Sequence, residues 1–197
     1  MRLEICNLKK KYEGKTVLDG VSFTLEEGEG LCLMGASGCG KTTLLRILMR
    51  LEKPDEGAVR GILNLKISAV FQEDRLLDDL SAVKNVWLVC GSSEEAIRHE
   101  LSEILPAESL DQPVCQLSGG MRRRVSLVRA AMKKSDLIIM DEPFTGLDGE
   151  TKRAVIEYMK KKIKGKMFLF STHQEEDAQL FGTKILRLET EHSSVKK

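Results

Sequence analysis

The sequence predicts an α/β fold with a mainly parallel central sheet, an antiparallel N-terminal β portion and a helical insert. Three observations predict it. The apolar run LCLM at 31–34 leads straight into a glycine-rich loop and then a helical pattern. A second continuous run, LIIM at 137–140, has the character of a strand covered on both faces. The rest of the C-terminal half alternates helical and strand patterning, which is the order that builds parallel sheets.

The elements follow in order. From Arg2 to Thr24, Leu3, Ile5, Val17, Val21 and Phe23 alternate loosely between turn material at Glu13-Gly14 and Asp19-Gly20, which reads as antiparallel strands. The strand of LCLM and its glycine loop come next, followed by a helix over 42–51. The stretch 54–61 reads as turn-rich, and 66–71 as a strand ending at Gln72. From Asp78 to Leu105 the pattern turns helical, with Ile97, Leu101, Ile104 and Leu105 on one face. Ser118 stands where an N-cap is needed for a helix over 121–133 with the stripe Val125, Val128 and Met132. After LIIM come a helix over 150–164, a strand over 167–172, a short helix near 174–180 and a strand over 184–189. The expected organisation is one domain over 1–189, with the insert at about 73–135 and a disordered tail at 190–197.

Composition narrows the function classes. The chain has 197 residues, 42% hydrophobic and 31% charged, a balance suited to one folded unit and too apolar for disorder. Thirty-one basic and thirty acidic side chains leave +1, so no global field draws nucleic acid or an anionic membrane. Five cysteines without a CxxC pair argue against a disulfide framework and a zinc site and fit a reducing cytoplasm. MRLEICNLKK lacks the features of a secretory signal, and no apolar run approaches the roughly 20 residues of a spanning helix. A membrane role therefore requires a partner.

The chemistry concentrates in a few motifs. Gly35, Ala36, Ser37, Gly38, Cys39, Gly40, Lys41 and Thr42 match G-x-x-x-x-G-K-[ST], in which glycines let backbone N–H groups converge on phosphate at the positive end of a helix. Thr43 follows in the first helical turn. Lys41 reaches the outer phosphates, and the Thr42 hydroxyl can ligate Mg²⁺. The alternative, a chance glycine turn, is opposed by the strand before the loop and the helix after it. Asp141 and Glu142 end the LIIM strand, where open α/β sheets place their ligands. Asp141 suits Mg²⁺, and Glu142 suits the orientation and deprotonation of an attacking water; the other reading is two solvated charges at a strand end. The chain is thus expected to bind ATP and hydrolyse it. Ser118-Gly119-Gly120 at a helix start is an ordinary cap or a second anion site, and two copies of the chain could place it against a phosphate that one copy holds elsewhere.

These motifs, in this order, make the chain resemble the nucleotide-binding subunit of an ATP-binding cassette (ABC) transporter from about Leu3 to Glu189, and with it the P-loop NTPase fold. LSGGM resembles the family's LSGGQ signature, Gln72 in VFQED stands at its Q-loop, and FTGLD at 144–148 resembles its D-loop. His173 in FSTH matches the switch histidine, and Tyr12 fits the aromatic that stacks on adenine or is a surface aromatic. The resemblance implies two cassettes packed head to tail, in the first instance as a homodimer, with two composite sites for ATP and Mg²⁺. It gives Ser118, Gly119 and Gly120 to the γ-phosphate of the opposite copy, Gln72 to Mg²⁺ and water, and His173 to the γ-phosphate and Glu142.

The chain departs from the family pattern at Met121, where the signature has Gln, and in the trimmed peripheral regions. Cys39, beside a helix N-terminus, is either a reactive thiol or a small packed residue. FQEDRLL and the compact length most resemble importer cassettes of the nitrate, sulfonate and taurine group. That resemblance implies transmembrane permease subunits, an extracytoplasmic solute-binding protein, a peripheral place on the cytoplasmic face of the membrane, and no nucleic acid partner. Leu76, Leu77, Leu80, Val83 and Val86 are candidates for a groove facing a permease, or equally for the insert's own core. A soluble cassette ATPase and an exporter cassette are the alternatives.

Overall fold

The computed structural model describes residues 1–188. The tail expected at 190–197, and the end of the last strand expected at Glu189, lie outside the described residues.

Two sheets organise these residues. β1 (Arg2–Tyr12) pairs antiparallel with β2 (Lys15–Glu26) through the turn at Glu13-Gly14. Asp19-Gly20, expected as a turn, is instead a bulge inside β2: between the pairs Leu8↔Val21 and Lys10↔Leu18 the second strand carries one extra residue, and Gly20 takes φ 71° to absorb it. The stretch expected as turn-rich contains β4 (Glu56–Arg60), an edge strand paired with β1 in a sheet of order β2-β1-β4. Its glycines and charges hide it, because a short edge strand needs few inward apolar residues. At Gly57 a Cβ would meet the carbonyl oxygen of Cys6 at 2.5 Å, so close backbone approach explains the residue that reads as a turn.

The second sheet is parallel, in the order β5-β6-β7-β3-β8, from β3 (Gly30–Met34), β5 (Ile67–Val70), β6 (Leu137–Met140), β7 (Met167–Ser171) and β8 (Lys184–Arg187). Side chains alternate faces along a strand. Cys32, Met34, Ile138, Met140, Phe168 and Phe170 face one core; Leu31, Leu33, Leu137, Ile139, Met167 and Leu169 face the other. Both faces are apolar because both are covered, which is why these strands read as unbroken hydrophobic runs.

The second of those cores is closed by α1 (Lys41–Leu48) and by Leu3, Ile5, Leu8, Leu18 and Leu25 of the antiparallel sheet. The first is closed by α2 (Ala82–Cys90), α3 (Glu94–Ser102), α4 (Gly119–Met132), α5 (Gly149–Ile163) and α6 (Glu175–Phe181). Phe144, Phe168, Phe170 and Phe181 cluster there, with Phe170 and Phe181 ring centroids 5.1 Å apart. The helical stretch breaks in two at Gly91, which takes φ 67° at the end of α2 before Ser93 caps α3.

Candidate functional site

In a parallel sheet all strands run the same way, so all their carboxyl ends lie along one edge. Here the residues that follow those ends, Gly35 after β3, Gln72 after β5, Asp141 after β6 and His173 after β7, line one cavity of about 430 Å³. Its wall comprises Gly35, Ala36, Ser37, Gly38, Gly40, Lys41, Thr42, Thr43, Gln72, Asp141, Glu142 and His173, with Val17 and Thr145.

The loop at 35–40 is shaped by its glycines, two of which leave no room for a side chain. At Gly35 a Cβ would meet Leu188 O at 2.3 Å, and at Gly40, with φ 98°, it would meet Val17 O at 2.7 Å. Gly38, with φ 81°, has nothing within 4 Å and leaves the loop open toward the cavity. Gly40 is also the N-cap of α1 and supplies no side-chain cap; the first intrahelical bond is Leu44 N to Gly40 O at 2.9 Å. The N–H groups of Lys41, Thr42 and Thr43 are therefore the unspent donors of a helix terminus, an arrangement made for an anion. Lys41 is only 8% exposed, and its ammonium donates to Gly35 O (2.7 Å) and Ala36 O (3.1 Å) within the loop.

On the opposite wall Asp141 is buried at the end of β6, and Ser171 Oγ donates to its Oδ1 at 2.6 Å. The Glu142 N–H donates to the same Ser171 Oγ at 2.8 Å, with Glu142 in the left-handed region at φ 47°. A strained backbone held by a buried hydroxyl turns the two adjacent carboxylates in fixed directions. Ser171 was missed in the sequence, where a small polar residue in FSTH reads as a strand end. His173 Nδ1 lies 3.2 Å from Glu142 Oε2 and the imidazole is exposed. Arg123, buried on α4, donates to Phe71 O at 2.7 Å and to Gln72 O, fixing the backbone from which Gln72 extends.

The donor set fits Mg²⁺. Thr42, Gln72 and Asp141 bring hydroxyl, amide and carboxylate oxygens to one cavity beside an anion site, and Mg²⁺ combines few protein oxygens with phosphate oxygens and water. Among the described residues no cluster of three or more His, Cys, Asp or Glu could hold a metal unaided.

Several expected site residues are not in the cavity wall. Cys39 is 2% exposed, packs in the second core and is absent from the cavity wall, which answers the open question in favour of a packed residue. Tyr12 is 41% exposed at the end of β1, with its hydroxyl donating to Glu52; burial and that bond raise its pKa. Ser118, Gly119 and Gly120 start α4, where Ser118 Oγ accepts from Met121 N at 3.3 Å, and none of the three lines the cavity. Met121 packs against the first core. Of the groove candidates, Val83 and Val86 are buried in that core and Leu76 packs on it. Leu80 and Val83 line a second cavity, of about 230 Å³, with Lys84, Trp87, Leu88 and Glu94.

Comparison with known proteins places this geometry. The ABC transporter family model matches residues 18–145. The chain is 35% identical over 195 residues to Nod factor export ATP-binding protein I of Paraburkholderia xenovorans (strain LB400), covering 90% of this chain and 64% of the relative. It is 34% identical to methionine import ATP-binding protein MetN of Legionella pneumophila (strain Lens), covering 87% and 57% respectively. Phosphonates import ATP-binding protein PhnC of Treponema denticola is 34% identical, with 95% and 86% covered. The chain thus spans less than two thirds of the length of the first two relatives and most of the third. Among solved structures, the dimeric post-hydrolysis state of the ATP-binding cassette MJ0796 bound to ADP and Pi superposes with TM-score 0.84 at 29% identity, covering 96% of this chain and 97% of that one. A further dimeric structure of MJ0796, described as a bacterial ABC transporter cassette, gives 0.82 at 30%, with the same coverage.

Proposed function

Because this chain belongs to the ABC transporter family, we propose that it is an ATP-hydrolysing cassette, the motor subunit of a transporter, pairing with a second cassette around two ATP molecules. The observation that carries the reading is the convergence of four strand ends on one cavity, with an anion site on one wall and two carboxylates on the other.

In this reading the N–H groups of the loop and of α1 cradle the phosphates, and Lys41 neutralises their outer charge. Thr42, Gln72 and Asp141 would hold Mg²⁺, which supplies charge neutralisation at the phosphate oxygens. Glu142 accepts a proton from the water that attacks the γ-phosphorus; the bond to the leaving oxygen breaks and ADP departs with it. His173 pins one oxygen of the Glu142 carboxylate, leaving the other to hold the water in line. Tyr12 lies toward the base, and Ser118, Gly119 and Gly120 act on the ATP of a second copy.

No described helix is long and apolar enough to cross a membrane. In this reading, coupling to transport falls to permease subunits. The cavity of Leu80, Val83, Trp87 and Leu88, with Trp87 54% exposed, is the place for a permease contact. The names of the methionine and phosphonates relatives favour import, which adds an extracytoplasmic solute-binding protein and puts the chain on the cytoplasmic face of the membrane. Two measurements test the proposal: phosphate release by the purified chain with Mg-ATP, and recovery of membrane subunits with the tagged chain from detergent extracts. Turnover with no membrane subunit recovered on the tagged chain would support a soluble ATPase instead; absence of turnover in both preparations would contradict the motor.

A further inference from the structure

A buried polar cluster lies behind His173 and takes no part in the mechanism above. Lys152, 8% exposed in the first turn of α5, donates from Nζ to Asp177 Oδ1 at 2.8 Å and to Gln174 Oε1 at 2.6 Å. Asp177, 2% exposed at the start of α6, accepts at its other oxygen from Thr172 Oγ1 at 2.6 Å, and Thr172 Oγ1 accepts from Gln174 N at 3.1 Å. Thr172 and Gln174 are the residues on either side of His173. The imidazole itself is exposed, and among the described residues its side chain bonds to Glu142.

We infer that Lys152 and Asp177 are positioning residues that hold the 172–174 backbone so that His173 meets Glu142, an inference that rests on the assignment of those two residues above. The chemistry argues for such a role. Burying an ammonium and a carboxylate costs desolvation that their attraction only roughly offsets, so the pair is a poor stability device and a good geometric one. Every strong acceptor position of the cluster is used on a neighbour of His173 or on the lysine that anchors it. Lys152 also ties the segment to α5, whose N-cap is Asp148: Lys152 N donates to Asp148 O at 2.8 Å, and Asp148 Oδ1 accepts from Thr151 N at 2.9 Å. The 144–148 segment and the histidine segment are thereby joined through one side chain.

The test uses the full chain. Lys152→Met is expected to lower kcat by roughly tenfold to a hundredfold, the scale of a small misplacement, while KM for ATP stays within about twofold. Lys152→Arg keeps the charge and restores most of the rate. The double variant Lys152→Met/Asp177→Leu regains thermal stability by removing both charges, and its kcat stays low. If Lys152→Met does not fold, Asp177→Asn, of unchanged shape, takes its place with the same expectation. Full kcat in either folded single variant, or a kcat that returns with the stability of the double variant, would overturn the inference. His173→Ala is the control: wild-type turnover in it removes the assignment underneath, whereas lost turnover there with full turnover in Lys152→Met removes this inference alone.

Discussion

Two helix N-termini in this molecule are candidate anion sites, and they differ in what surrounds them. The start of α1 has a glycine for its cap, no side chain spent on its amides, and a wall of Gln72, Asp141, Glu142 and His173 across the cavity. The start of α4 is capped by Ser118, is exposed, and borders no part of that cavity. One terminus faces carboxylates, an amide and an imidazole across a cavity; the other faces none of them. The difference is what the proposed pairing accounts for: the resemblance assigns Ser118 to the γ-phosphate, and within its own chain Ser118 does not line the phosphate loop's cavity.

Substitutions can break that comparison or sharpen it. Glu142→Gln removes the proton acceptor and keeps the shape, so turnover should fall by roughly 10²- to 10⁴-fold with ATP affinity retained, as read by phosphate release and by fluorescent-nucleotide titration. Lys41→Ala acts on the α1 side alone: loss of a charged hydrogen-bond donor should weaken ATP binding by the isolated chain about tenfold to a hundredfold. Ser118→Ala acts on the α4 side alone, so isolated-chain affinity should stay within about twofold while turnover of the pair drops roughly tenfold. The same change removes a helix cap and should cost about 1 kcal/mol in denaturant unfolding. Equal loss of isolated-chain affinity in the Lys41 and Ser118 variants would erase the distinction between the two termini. The smallest effect is expected of Met121→Gln, because the side chain lies on the rim of the core: about 1 kcal/mol or less in stability and a rate within about threefold.

The parallel sheet and the phosphate loop were legible because their signals are local. LCLM and LIIM are unbroken apolar runs of buried strands, and the glycine spacing is a contiguous pattern whose geometric demands appear at Gly35 and Gly40. β4 was not legible: an edge strand reading EGAVR has Val59 alone among large apolar residues. Exposed Trp87 and Leu88 were not legible beside Val83 and Val86, because apolar periodicity reports the face turned to the core and not its complement. Ser171, Arg123 and the Lys152–Asp177 pair were invisible for a different reason. Each acts through a contact made across the fold, Lys152 and Asp177 from two different helices, and no spacing rule marks such a pair.

The central claim is that the site is completed by a second copy. Light scattering of Glu142→Gln, with and without Mg-ATP, tests it most directly, since a chain that binds ATP and does not hydrolyse it should hold the paired state. The account predicts a monomer without nucleotide and a dimer with it, reversed by adding Ser118→Ala in the same chain. A monomer at saturating Mg-ATP, with nucleotide binding demonstrated in the same sample, would contradict it.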